Sequence, residues 1–492
     1  MAEKDLAKIP YRDLVSGYSP HNDAEISLVY EEELAKNRRK IIVLDDDPTG
    51  VQTVHGVSVY TGWREEDIEA GFDEEATLFF ILTNSRGMTA EETEKVHHDI
   101  GKTVAGVSRK KNRDYILISR SDSTLRGHYP LETEILKKAL DDDSAAASRP
   151  EKSLFDAEII CPFFMEGGRF TAENIHYVKV DDMLVPAART EFAADRIFGY
   201  THSNLAEWIE EKTGGMFRKE NVKAVTLKDL REGGTVESRV QKIAALLNEA
   251  ENFNKVIVNA LDYNDIKIFS AAFFRALNRG KRFLLRTAAA IPKALGGIKD
   301  KPLLTRADLL GDNTNRRGGL IVAGSHVQKT TRQLELLLEN KNIIPIEFNV
   351  HLVTEDGKFA KETERVQVMC NNAIAAGKTT VIFTSRKRFD MDTGNREDEL
   401  RVSLKIAGAV TGFVSRLPEQ PRFIIAKGGI TSSGIGTVAL GVKKALVLGQ
   451  VLPGVPVWLT GAESRFPNTP YIIFPGNVGN EGDLRRIADM LE

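Results

Sequence analysis

The sequence predicts an α/β protein, with two α/β domains, mainly parallel sheets and a ligand cleft between them. Three observations lead there. From residue 41 onward, short apolar runs rich in β-branched residues alternate with amphipathic helical stretches. The alternation halts in a polar, Gly-containing run at 296–318 and then restarts. The most polar loops come directly after strands, at the edge where open α/β sheets hold ligands. A chain of 492 residues exceeds one ordinary core. The division is therefore an N-terminal domain over 1–295, a linker over 296–318 and a C-terminal domain over 319–492.

Taken in order, residues 1–40 are polar, and 24–40 has the spacing of an amphipathic helix. Ile41-Ile42-Val43-Leu44 is a buried strand. Val57 to Tyr60 is a short strand, and 76–83 (ATLFFILT) a buried one. Thr89-Ala90-Glu91-Glu92 opens a helix with a capping box, expected to run to about residue 102. Strands follow at 115–119, 157–162 and 255–260, with helices at 130–140, 238–250 and 265–277. In the second half, strands at 320–323, 343–350, 379–384 and 423–426 are interleaved with helices at 330–339, 362–376 and 400–417. Apolar strands of this kind argue for parallel sheets covered on both faces.

Composition narrows the function classes. Apolar residues make up 42% and charged residues 28%, which fits a globular chain. The net charge of −3 offers no basic field for nucleic acid, and Arg38-Arg39-Lys40 and Arg109-Lys110-Lys111 read as short solvated runs. Two distant cysteines, Cys161 and Cys370, exclude a disulfide framework and fit a reducing cytoplasm. Cys161, before a proline on a strand, reads as inert. The opening MAEKDLAKIP is charged, so no secretory leader is expected. No apolar run approaches the ~18 residues of a membrane span.

The chemistry lies in the loops. Asp45-Asp46-Asp47-Pro48-Thr49-Gly50 follows a strand at once. Three adjacent carboxylates are costly to bury without a cation, a proton or hydrogen-bond donors, so this turn reads as a site for Mg²⁺, substrate hydroxyls or both. Thr83-Asn84-Ser85-Arg86-Gly87 and Ser119-Arg120-Ser121-Asp122-Ser123-Thr124-Leu125-Arg126-Gly127-His128 also follow strands. Guanidinium forks match carboxylate or phosphate, and Asp matches hydroxyls, so these loops suit a small polyol acid. Three Gly turns in the second half, at Gly324-Ser325-His326, Gly428-Gly429-Ile430-Thr431 and Pro475-Gly476-Asn477, suit phosphates, since backbone amides can approach closely. None matches a Walker or dinucleotide fingerprint. His97-His98 reads as a surface pair. His55, His128 and His176 lie near the site loops without metal spacing. Phe163-Phe164 and Trp458 read as core, and 167–171 as a mobile turn whose Arg169 could reach the cleft.

These motifs, Asp46-Asp47-Pro48-Thr49-Gly50, Thr83-Asn84-Ser85-Arg86, Asp122-Ser123-Thr124-Leu125-Arg126-Gly127 and the later Gly turns, resemble the four-carbon acid sugar kinase family, in order over nearly the whole chain. The resemblance implies phosphorylation of threonate, erythronate or 3-oxo-tetronate at the terminal hydroxyl, with ATP and Mg²⁺ as cofactors and no protein metal site. It carries Asp46, Asp47, Arg86, Asp122 and Arg126 over as substrate-site residues, and Ser325, Gly428, Gly429, Thr431 and Gly476 as ATP-site residues. Asn84, Arg120 and Pro48 stand where the family has Asp, Lys and an apolar residue, and 284–290 lacks a Gly-Ser turn.

The expected mechanism has one carboxylate of the Asp46/Asp47 pair orienting or accepting the hydroxyl proton. Arg126, with Arg86, holds the substrate carboxylate. The expected partners are a sugar acid and ATP, with no nucleic acid and no membrane; a homodimer is open. Two alternatives are a haloacid-dehalogenase-like phosphatase with Asp45 as nucleophile, and a non-catalytic sugar-acid-binding protein.

Overall fold

The apolar runs become strands where their composition calls for them. The computed structural model describes residues 3, 6–145, 153–312, 314–324, 327–387, 396–476 and 478–492. The chain forms two units by packing: one of residues 1–50 and 62–299, the other of residues 51–61 and 300–492.

In the first unit, seven strands form one parallel sheet. Their order is Lys223–Val225, Asn254–Val258, Ala157–Cys161, Phe283–Thr287, Tyr115–Arg120, Lys40–Asp45 and Leu78–Leu82. Lys40–Asp45 is buried along its whole length. It lies between Tyr115–Arg120 and Leu78–Leu82, in register with both: Asp45 pairs with Arg120 on one side and Leu82 on the other. Three loops rich in charge therefore leave neighbouring strands at the same edge.

Thr89 opens the helix Ala90–Lys111 as a capping box. Its hydroxyl accepts the Glu92 amide at 3.2 Å and its own amide donates to the Glu92 carboxylate at 2.8 Å. The helix runs nine residues past the expected end, to its basic last turn at Arg109, Lys110 and Lys111, whose charges complement the helix dipole. Three local readings need correction. Lys40 is fully buried, with Nζ donating to the carbonyls of Glu74 and Ala76. His97 is also buried, because helix packing turns its face inward, and its Nδ1 sits 2.8 Å from the Thr93 carbonyl. Residues 167–171 are not a mobile turn: Arg169–Ala172 pairs with Ile175–Val180 in an antiparallel sheet completed by Met183–Pro186 and Ile9–Pro10. Phe163, Phe164 and Trp458 are core as expected. Cys161 and Cys370 are buried, and burial pushes both thiols up to about 12, which makes them inert.

The helix expected at 24–40 is Asp23–Ala35, and the loop before it is tied to the domain by charge. His21 Nε2 lies 3.0 Å from Asp265 and 3.4 Å from Asp262, which caps helix Tyr263–Asn278. Arg231 pairs with both aspartates at 2.7 Å. These three groups are the only His/Cys/Asp/Glu set among the described residues close enough to share an ion, and Arg231 already supplies a cation there. Burial opposes the His21 charge, but hydrogen bonds to Asp262 and Asp265 outweigh it and raise the imidazole to about 9. An unfolded histidine titrates near 6.5. The contribution is therefore complete below pH ~6.5 and is lost as pH rises through about 9. The stability difference between the wild type and His21→Gln should shrink by up to about 3 kcal/mol between pH 6 and 10, read from urea melts.

The second unit holds eight strands, in the order Val57–Tyr60, Lys444–Leu452, Val455–Thr460, Pro470–Phe474, Ile424–Lys427, Leu320–Ala323, Thr380–Thr384 and Ile344–Phe348. The last five are parallel, and the first four pair antiparallel. Leu304, Leu309 and Leu310 are buried in its core beside Ile321, Phe423 and Ile472. No helix among the described residues is long and apolar enough to cross a membrane.

Candidate functional site

In the first unit the three strand ends bring most of the expected residues together. Asp46 is 3% exposed and accepts a guanidinium fork from Arg86: Nη2 to Oδ1 at 2.6 Å and Nε to Oδ2 at 3.1 Å. Arg120, also buried, reaches Asp45 at 3.1 Å and Asp46 at 3.4 Å. Burial pushes the carboxyls of Asp45 and Asp46 up, against the pull of these guanidiniums, and brings Asp45 to about 7. Asp47 is more open. Its Oδ1 accepts the Thr49 amide at 2.8 Å, and Oδ2 has only a long 3.4 Å contact from Arg86.

Asp45 lies under the turn it opens, since a Cβ on Gly50 would meet both of its carboxylate oxygens at 2.0 Å. With 1% exposure and Arg120 on it, Asp45 is a framework group and offers no exposed nucleophile.

Asp122 and Arg126 form the neighbouring pair, with Nε to Oδ2 at 2.7 Å. The Thr124 hydroxyl also donates to that oxygen. Burial works against the Asp122 charge, yet Arg126 and Arg86 hold its carboxyl well below the usual carboxylate range. The loop carries strain. Leu125 sits at φ 67, a region unfavourable to a bulky side chain, and is held there in an apolar cluster with Tyr129 and Trp208. His176 braces the same loop, with Nε2 2.7 Å from the Ser123 carbonyl and Nδ1 3.0 Å from the Thr171 hydroxyl. His128 contacts the Met88 carbonyl at 3.0 Å. Asn84 takes φ 56, which asparagine tolerates better than most residues.

Other residues were not legible as site groups. Glu132, 1% exposed, accepts from Ser85 at 2.6 Å, from Ser121 at 3.3 Å and from Arg286. Burial opposes its charge, but Arg286 and His97 bring its carboxyl down to about 2. It comes from a helix and Arg286 from a strand, so nothing in loop composition marks either. A small cavity beside them is lined by Ser121, Asp122, Pro162, Trp208, Arg286 and Thr287. Arg169 lies over the Phe192 ring at 5.5 Å, the ring that Arg126 covers at 5.1 Å, and its buried Nε has no hydrogen-bond partner.

In the second unit, Ala323, Lys427 and Phe474 sit in register on three adjacent parallel strands. The three Gly turns therefore leave one edge side by side. A Cβ on Gly324 would meet the Thr431 hydroxyl at 2.5 Å, so the first turn abuts the second. The Gly476 carbonyl accepts from Thr330 at 3.3 Å and from Lys427 at 3.4 Å, which ties the third turn to the same group. Gly428 and Gly429 open the short helix Gly429–Ser433, which continues as a π-helical stretch over Gly434–Ala439. Ser325 lies outside the described residues.

One unit thus holds a buried carboxylate–guanidinium cluster at a sheet edge, and the other holds Gly turns at the edge of its own sheet. A sugar-binding N-terminal domain matches residues 41–295, and a nucleotide-binding C-terminal domain matches residues 320–484. The chain belongs to the four-carbon acid sugar kinase family. No curated protein matches it. Among solved structures it is similar to a Salmonella typhimurium LT2 protein provisionally described as a tRNA synthase, at 17% identity and TM-score 0.63, covering 91% of this chain and 98% of that one. It is also similar to a Haemophilus influenzae protein of the DUF1537 family, at 16% identity and TM-score 0.57, covering 92% and 100%. At such identities the likeness shows the fold.

Proposed function

We propose that this protein is an ATP-dependent kinase that phosphorylates the terminal hydroxyl of a four-carbon sugar acid of the threonate, erythronate or 3-oxo-tetronate type. The observation that carries the reading is the convergence of Asp46, Asp47 and Arg86 with the Asp122–Arg126 pair at the ends of adjacent strands in a sugar-binding domain. Asp47 keeps acceptor capacity for a hydroxyl proton, while Arg86 and Arg120 hold Asp46 as part of the frame. Arg126 uses Nε on Asp122, its Nη1 lies 3.7 Å from Asp195, and Nη2 faces a substrate carboxylate in this reading; Arg169 adds a second guanidinium on the same ring. Asp122 then receives substrate hydroxyls.

The second unit fits a nucleotide. Gly428, Gly429, Thr431 and Gly476 would line its phosphates, with Ser325 carried over by the family resemblance; Gly324 packs too closely on Thr431 to admit a side chain. Bound ATP supplies the phosphoryl group, and Mg²⁺ would neutralise charge across its phosphates. The chain's own contribution is alignment and fixed charge.

The test is an ADP-release assay over a panel of tetronic acids, with a nucleotide-free phosphomonoesterase assay in parallel. Turnover with at least one tetronic acid, dependent on ATP, is expected. Phosphate release from phosphomonoesters alone would return the reading to the phosphatase class.

A further inference from the structure

The strand Ile424–Lys427 ends in a lysine for which the reaction outlined above has no use. Lys427 is fully buried. Its Nζ lies 2.5 Å from the Pro475 carbonyl oxygen, 3.4 Å from that of Gly476 and 3.9 Å from the centre of the Phe474 ring. Among the described residues no carboxylate forms an ion pair with it. Lys329, near the start of helix Gln328–Leu337, disfavours its charge, and Asp483, first in helix Asp483–Leu491, favours it.

A buried ammonium without a paired anion is costly. Burial is the largest influence here, followed by Lys329, and together they lower the amine to about 6. The donor count agrees. A neutral amine has two N–H groups, and two carbonyls of the Gly476 turn receive them. The ammonium has a third, which needs an acceptor and a counter-charge. Lys427 directly precedes the Gly428-Gly429 turn, and it holds the turn that follows the adjacent strand.

We propose that Lys427 is a binding residue of the nucleotide site that takes up a proton from solvent when an anionic nucleotide arrives, and donates the added N–H to a phosphate oxygen. This inference rests on the nucleotide reading of the second unit. One N–H bond forms on Nζ, the proton comes from water or buffer, and the phosphate charge offsets the new ammonium. The sign of the pH dependence follows. The free group loses its proton above pH ~6, so binding at higher pH requires uptake, and affinity falls about tenfold per pH unit until the raised pKa of the complex is passed.

The experiment is calorimetric titration of the full chain with Mg·ADP at pH 8 in Tris and in HEPES, whose ionisation heats differ. The wild type should take up about one proton per nucleotide, with affinity falling about tenfold from pH 7 to 8. Lys427→Arg, charged at every pH used, should bind with no uptake and a flat profile; Lys427→Met should bind more than tenfold more weakly, also without uptake. Tight wild-type binding with no proton uptake would overturn the assignment and leave the nucleotide reading standing. No binding of Mg·ADP by the wild type at any pH from 6 to 9 would overturn the nucleotide reading and this assignment with it.

Discussion

Asp47→Asn should lower the turnover of tetronic acids by roughly 10²- to 10⁴-fold, the usual worth of a positioned general base, while leaving thermal stability nearly unchanged. The difference between the two neighbouring aspartates motivates the choice. Both oxygens of Asp46 are committed to Arg86, at 2.6 and 3.1 Å, and Arg120 adds a third contact. Although burial raises its carboxyl, the guanidiniums occupy both of its oxygens, so Asp46 has no oxygen placed for a substrate hydroxyl. Asp47 has one amide and one long guanidinium contact, so an incoming hydroxyl can still be accepted. Asp46→Asn should act differently, costing about 3–5 kcal/mol of stability, because the buried Arg120 and the partly buried Arg86 lose a shared anion. ADP-release kinetics and thermal melts on both variants separate these roles. Full turnover in Asp47→Asn would remove it from the mechanism.

Lys255→Met should destabilise the first unit by about 3–5 kcal/mol, with a fall in Tm on the order of 10 °C. Lys255 and Glu158 are both fully buried and pair at 2.5 Å across adjacent strands. The ammonium sits 4.0 Å from the Phe217 ring centre and 3.9 Å from that of Phe253. The Tyr129 hydroxyl donates to the same Glu158 oxygen at 3.4 Å. Removing the lysine strands a carboxylate that no water reaches. Lys255→Met combined with Glu158→Leu should recover most of the loss, since an apolar pair of similar volume removes both desolvation costs. Melts of the single and double variants give the coupling directly. A double variant as unstable as the single one would show that the pair is needed for packing rather than for charge balance.

The residue pattern alone determined a good deal. Runs such as Ile41 to Leu44 are strands in any fold that buries them, because their β-branched side chains have few other places to go. The Thr89 capping box needs only its own turn. The loops after these strands announced their charged chemistry through composition, and the family resemblance carried Asp46, Asp47, Arg86, Asp122 and Arg126 over as expected substrate-site residues.

What remained depended on which distant elements touch, and local periodicity carries no record of that. The strand order seats Lys40–Asp45 between Tyr115–Arg120 and Leu78–Leu82, and this brings Arg86 and Arg120 onto Asp46. Glu132, Arg286 and His97 join one charge network from two helices and a strand. Residues 51–61 pack with the second unit although the chain on both sides of them belongs to the first. Lys427, an ordinary basic residue in the sequence, loses its solvent only when the Pro475–Gly476 turn closes over it. In each case the deciding quantity is desolvation, which depends on what the folded chain lays over a group and not on its neighbours in sequence.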